Sequence, residues 1–235
     1  MKILGFETAS GRCSVSITED GEIMATDLLT IGSMQAERLI SMIGSVLDKA
    51  KLRLDQIDYL VITNGPGSFT GIRIGLAAAL GLVMATKITP IIVSNFATIN
   101  FKIREQFRDF DYAATIIDAY RGECYFQAFD KQNQEIEEPK LINLTNIVLE
   151  ITKLNGVVVC GGNTCHKLVD ALPSEIRVLP RFPNPDARIL CKLAHTQILK
   201  GIYCSNIEPL YIRPPDAKLP SPAKLMSRAC PQIKY

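Results

Sequence analysis

The run Gly65-Pro66-Gly67-Ser68-Phe69-Thr70-Gly71-Ile72-Arg73-Ile74-Gly75 constrains this chain more than any other stretch, because it joins an apolar run, Tyr59 to Ile62, to a long helical one. Gly65, Pro66 and Gly67 suit a tight strand-to-helix turn, and Ser68 or Thr70 can accept from the first free helix amides. Gly71 and Gly75 fall inside the helix, where glycine costs roughly 0.5 to 1 kcal/mol against alanine. Something must come very close to that face. An outside partner or a phosphate would account for it, and so would the chain's own sheet.

The helix, read as Ile72 to about Lys87, is apolar almost all round, which predicts burial on every side. A membrane span is excluded, since the charge-free stretch 74–86 is well short of the roughly 20 residues needed. It is a core or interface helix. Gly71, Gly75 and Ala79 lie four apart, so small residues stack along one stripe, where an outside partner is expected.

Period and punctuation repeat. Ile3 to Glu7, Cys13 to Thr18 and Ile23 to Leu29 read as a three-strand meander, followed by a helix that Ser33 can cap, the strand and helix just described, strand Pro90 to Ser94 and helix Asn95 to Phe107. Ala114 to Asp118, Cys124 to Phe129 and Ile136 to Ile142 repeat the meander. Helix Thr145 to Leu154, strand Val157 to Cys160, a short helix His166 to Leu172, strand Val178 to Leu179 and helix Pro185 to Lys200 complete the copy. Glu7 precedes Cys13 by the same spacing as Asp118 precedes Cys124. The pattern predicts two similar α/β lobes with mixed sheets, residues 1–108 and 109–213, and a cleft between them. Residues 214–235 shift to a basic, proline-rich composition and are expected to be a solvated tail.

Composition agrees with a compact globular protein: 47% hydrophobic content supports a sizeable core, and a net charge of +2 argues against a strongly basic nucleic-acid binder. The N-terminal apolar run is too short for a signal peptide, and seven scattered cysteines fit a reducing compartment, so a cytoplasmic protein is expected.

In such a pair of lobes the carboxylates of Glu7 and Asp118 would face each other across the cleft, an arrangement that suits a magnesium nucleotide. The hairpin turn with Thr8 and Ser10 keeps hydroxyls for a phosphate. The second turn puts Tyr120 and Arg121 where backbone should approach phosphate, so Glu7, Thr8, Ser10 and Asp118 read as a vestigial nucleotide cleft. Gly161-Gly162-Asn163-Thr164 reads either as a contact for a base or as an ordinary turn. No metal site is expected: His166 and His195 belong to different helices, and Cys160, Cys165 and His166 match no zinc spacing. A nucleophile elbow is absent as well.

Gly65 to Gly75, Ile3-Leu4-Gly5-Phe6-Glu7-Thr8-Ala9, Ile117-Asp118-Ala119-Tyr120-Arg121-Gly122-Glu123-Cys124-Tyr125 and Glu208-Pro209-Leu210-Tyr211-Ile212-Arg213-Pro214 together resemble the TsaB (YeaZ) family, a non-catalytic paralogue of the threonylcarbamoyltransferase TsaD. The resemblance implies duplicated βββαβαβα lobes of the actin-like, sugar-kinase-like (ASKHA, ribonuclease H-like) fold. It also implies a role in making tRNA threonylcarbamoyladenosine, with a TsaD-like catalytic subunit as partner, a TsaE-like ATPase in the assembly, and tRNA met through the complex. The same resemblance places the partner surface on helices Met34 to Lys51 and Ile72 to Lys87, with Leu39, Ile43, Val46, Gly71, Ile74, Gly75, Ala78, Ala79 and Leu82 as the expected contacts. The isolated chain is read either as a monomer or as a homodimer paired through that same apolar surface. No resident cofactor is implied beyond weak ATP or ADP at the complex interface, and no membrane. Gln35 and Tyr120 depart from the family pattern, where histidine and arginine are frequent. A stand-alone ATP-dependent kinase or ATPase using Glu7 and Asp118 is the alternative.

Overall fold

The computed structural model describes residues 1–29, 34–179 and 184–213. Strand β1 (Lys2–Glu7) buries both faces: Leu4 and Phe6 look one way, Ile3 the other. Strands β2 (Cys13–Glu19) and β3 (Glu22–Leu29) return antiparallel through the Asp20-Gly21 turn. Strands β4 (Tyr59–Thr63) and β5 (Thr89–Val93) add in parallel on the other side of β1, giving the order β3-β2-β1-β4-β5.

The second sheet repeats this plan. β6 (Tyr112–Asp118) takes the place of β1, β7 (Glu123–Asp130) and β8 (Lys140–Asn143) pair antiparallel on one side, and β9 (Val158–Gly161) and β10 (Arg177–Val178) pair parallel on the other. Two lobes of the same mixed topology result, as the repeated meander predicts.

Some elements are shorter than their sequence suggests. β8 starts at Lys140, not Ile136, because Pro139 has no amide to give a ladder. The helix expected over Thr145 to Leu154 is a tight turn at Leu144–Asn146 followed by α4 (Ile147–Thr152). That expected over His166 to Leu172 is a single 3-10 turn, Cys165–Lys167. Ser33 lies outside the described residues, and helix α1 (Gln35–Ala50) has Met34 at its N-cap position with no side-chain cap.

Helix α2 (Phe69–Ala85) begins earlier than its apolar run, capped by the Ser68 hydroxyl, which accepts from the Gly71 amide at 3.2 Å. It is not buried all round. Ile72, Leu76 and Ala79 enter the core with Leu39, Ile43 and Val46 of α1, against Leu4, Phe6, Val15 and Ile17 of the sheet. Leu80 and Met84 stay outside.

The last helix does not stay with the copy it was expected to complete. Helix α5 (Ala187–Leu199) packs on β1, β2 and β4 of the first sheet, while α3 (Asn95–Gln106), which follows β5, packs on β6 and β9 of the second. The two lobes are thereby stitched together. Gly5 allows the closest approach: a Cβ there would meet Cys191 Sγ at 2.5 Å. No helix among the described residues is long and apolar enough to cross a membrane.

Candidate functional site

The glycine-rich run sits against the turn between β1 and β2. A Cβ at Gly71 would lie 2.1 Å from the Thr8 carbonyl oxygen, one at Gly67 would lie 2.4 Å from that of Ala9, and one at Gly75 would lie 2.6 Å from Thr8 Oγ1. Side chains do not fit at such distances, so the glycines are explained by the chain's own hairpin. The backbone contact is cemented by hydrogen bonds: the Ser68 amide donates to the Ala9 carbonyl at 2.7 Å, and Thr8 Oγ1 donates to the Gly71 carbonyl at 2.7 Å. Asn95 completes the clasp, its amide donating to Gly65 O and its side chain to Pro66 O.

This packing gives the stripe expected to meet an outside partner a neighbour within the chain itself. Gly71, Gly75 and Ala79 face inward, and Leu39, Ile43 and Val46 lie in the core beside them. None of these six is open to a second molecule in this structure. Ile74, Ala78 and Leu82 are half-buried at the edge of the same core.

What the two helices leave outside is displaced around the helix from those positions. Met84 is 86% exposed, Ile40 61% and Leu80 46%. Ala77, Gly81 and Ala85 on α2 and Gly44 on α1 share that exposure. A Cβ at Gly44 or Gly81 would meet nothing within 4 Å. Mid-helix glycine with no neighbour of its own chain is the signal by which these residues were discoverable in principle, but sequence alone does not show which glycines already have a neighbour.

The turn that carries the expected nucleotide residues is held by the same clasp. Glu7 is fully buried and accepts from the Ala9 amide at 2.6 Å and from Ser10 Oγ at 2.5 Å. Burial pushes its carboxyl up to about 7, against those hydrogen bonds, with a smaller contribution from Asp186. Thr8 spends its hydroxyl on Gly71, and Asn184 donates to the Ser10 carbonyl. Next to that turn, Ala9, Ser10, Gly67, Ser68, Asp118 and Asn163 enclose only about 20 Å³, room for one water, while Gly67, Ser68, Asp118 and Tyr120 also line an adjoining concavity of about 470 Å³ that opens toward Phe69 and Tyr211.

Asp118 is engaged within its own lobe. It pairs with Lys167 at 2.9 Å and accepts from the Tyr120 amide at 2.8 Å. Burial pushes its carboxyl up, but these partners, with His166 nearby, outweigh that and hold it below the usual carboxylate range. Glu7 and Asp118 are thus held separately and not presented as a facing metal-binding pair. Gly162 packs so tightly on β6 that a Cβ would lie 1.9 Å from the Ile116 carbonyl oxygen, and Asn163 Oδ1 accepts from the Asp118 amide. The Gly161-Gly162-Asn163-Thr164 stretch is therefore a structural turn. Magnesium, which the fold class brings to mind, does not fit two carboxylates each engaged within its own lobe. Among the described residues no group of three histidine, cysteine or acidic side chains is placed to hold a metal. His195 lies against the β2–β3 turn, beside Gly21.

Comparison with known proteins decides among these readings. The family model described as "TsaD: tRNA N6-adenosine threonylcarbamoyltransferase" matches residues 33–168. A relative from Escherichia coli K12, named "tRNA threonylcarbamoyladenosine biosynthesis protein TsaB", is 30% identical over 91% of this chain and 95% of its own length. The chain belongs to the TsaB family. A solved structure from Pseudomonas aeruginosa, described as an uncharacterized protein with similarity to peptidase YEAZ, superposes with a TM-score of 0.75 at 24% identity, over 90% of this chain and 99% of that one. A ROK hexokinase from Thermus thermophilus superposes with a TM-score of 0.50 at 11% identity, covering 86% and 99%. The architecture of this TsaB-family chain is thus shared with a ROK hexokinase.

Proposed function

We propose that the chain is a non-catalytic subunit of the machinery that makes threonylcarbamoyladenosine in tRNA, seated against a TsaD-like catalytic subunit through the exposed face of α1 and α2. The observation that carries this reading is that face: Ile40, Leu80 and Met84 stand in solvent around Gly44, Ala77 and Gly81. Small residues let a partner helix approach closely, and the large apolar ones supply the area to be desolvated. Family membership supports the identity of the partner. The lobe 1–108 then carries the interface, braced by α5 of the lobe 109–213 and by its own α3, which packs on the second sheet.

A subunit of this kind acts by presenting a rigid surface. The clasp of Thr8, Gly67 and Gly71 fixes α2 on the sheet, so that its outer side is preformed and little ordering is lost on binding. The TsaE-like ATPase and tRNA are met in the assembled complex, in the cytosol, and any ATP or ADP is held at the complex interface. When the partner is missing, the same apolar face pairs two copies of this chain.

The stand-alone kinase reading finds no support in Glu7 and Asp118, each engaged by partners within its own lobe. Reconstitution tests the proposal. The chain, its TsaD-like and TsaE-like partners, ATP and unmodified tRNA should yield modified tRNA, and omission of this chain should stop it. Modification at the full rate without the chain, or by the chain alone, would overturn the reading.

A further inference from the structure

The outward row of α2 does not begin at Leu80. Phe69, Arg73, Ala77, Leu80 and Met84 recur every three or four residues and all are exposed, so they share one face of the helix. At about 1.5 Å per residue that face runs roughly 22 Å. Its C-terminal half is aliphatic, and its N-terminal half is built differently. Phe69 and Tyr211, the latter from the segment that follows α5, lie with ring centroids 5.4 Å apart. The Arg73 guanidinium carbon sits 3.8 Å from the Phe69 centroid, and its Nε donates to the Tyr211 hydroxyl at 3.0 Å. A ring face and a hydroxyl thus hold a planar cation in place on an exposed surface, with its rotamer freedom already spent.

That cation has no carboxylate of its own. Among the described residues Arg73 makes no ion pair, and the chain carries no Asp or Glu between Asp58 and Glu105. A partner closing over the row takes the guanidinium out of water, which is costly unless the partner brings an opposite charge. Nε is committed to Tyr211, and the N–H groups of the two Nη nitrogens form the fork that a carboxylate meets with two bonds. Resting on the reading of α1 and α2 as the partner face, we propose that Arg73 is its ionic anchor and takes an Asp or Glu side chain of the TsaD-like catalytic subunit, with Phe69 and Tyr211 as aromatic walls beside the pair. Arginine and tyrosine are the residue types that carry most of the energy in such contacts. The segment that supplies Tyr211 also pairs Arg213 with Glu123 of the second lobe, so the anchor draws on both lobes.

Two measurements on the full chain with its TsaD-like partner test the anchor. Arg73→Met keeps an unbranched side chain and removes the charge; it should weaken pairing by at least about tenfold in a calorimetric titration while circular dichroism stays unchanged, and Arg73→Lys, which keeps the charge but loses the fork, should fall between it and wild type. Carbodiimide coupling of the assembled complex then identifies what the cation meets. Arg73→Lys places an amine at this position, and it should be joined by an amide bond to an Asp or Glu of the catalytic subunit, read by mass spectrometry, whereas the wild-type guanidinium should give no coupling there. Coupling to a carboxylate of the same chain, or to Glu37 or Asp48 on the exposed side of a second copy's α1, would overturn the proposal. So would a complex that forms without any coupling at position 73, or an Arg73→Met chain that pairs as tightly as wild type. If Leu80→Glu weakens pairing and Arg73→Met does not, the anchor falls and the partner face stands; if neither does, the face falls with it.

Discussion

Thr8 Oγ1 donates to the carbonyl oxygen of Gly71 at 2.7 Å, while the missing side chain of Gly71 leaves room for the carbonyl of Thr8 itself. This two-way contact closes the first hairpin turn over the start of α2. It accounts for the glycine motif and for the fixed outer face of the helix.

A methyl group at Gly71 should therefore act on stability. Its Cβ would be forced against backbone 2.1 Å away, and overpacking of this kind costs about 1 to 3 kcal/mol or more. Gly71→Ala should lower the urea midpoint at unchanged slope. Gly75→Leu, directed at the Thr8 hydroxyl 2.6 Å away, should destabilise the lobe for the same reason. A wild-type midpoint in Gly71→Ala would show that the clasp is looser than drawn.

Glu7 sets a pH dependence. Its carboxyl titrates at about 7 in the fold against 4.5 for the free group. Being raised, it contributes stability that is complete below pH 4.5 and is lost as pH rises toward 7. The loss is of the order of 3 kcal/mol before relaxation of the site. Glu7→Gln keeps the acceptor for Ala9 and has no charge to bury. Urea unfolding of both proteins from pH 5 to 8 should give curves that diverge upward in pH, with the glutamine variant more stable at pH 8. Parallel curves would mean that Glu7 is ionised in the fold without penalty.

The same variant bears on the cleft. With Glu7 turned toward Ala9 and Ser10 and Asp118 toward Lys167, neither carboxylate is available to hold a metal between the lobes. Glu7→Gln and Asp118→Asn should each leave tRNA modification by the reconstituted complex within about threefold of wild type, a loss below roughly 0.7 kcal/mol. A collapse of modification with subunit pairing intact would restore a catalytic or nucleotide-binding role for that residue.

Sequence reading carried the duplicated topology well, because each strand of a meander announces itself by alternation and by its turn, and Glu7–Cys13 and Asp118–Cys124 marked the same junction twice. The crossing of α3 and α5 was not legible. An apolar helix face shows that a sheet is covered but not which one; in the fold α5 is tied to β1 by the close approach of Cys191 to Gly5 and by Ile3 packed with Leu190 and Ala194. The site divided in the same way. Cost arguments located close approach at Gly71 and Gly75, but the neighbour proved to be Thr8 and Ala9. The outward residues, Ile40, Leu80 and Met84, look in sequence like any others of an apolar helix, and only their exposure in the fold distinguishes them.

The central claim is that the outer face of α1 and α2 receives the catalytic subunit, and it is tested most directly by titrating the TsaD-like partner into Leu80→Glu in a calorimeter. Leu80 is 46% exposed, so the substitution should leave the chain's own stability within about 0.5 kcal/mol of wild type. A charge placed in an apolar contact should weaken pairing by roughly ten- to a hundredfold, about 1.4 to 2.8 kcal/mol. Wild-type affinity in a folded Leu80→Glu chain would contradict the account and move the interface to another surface.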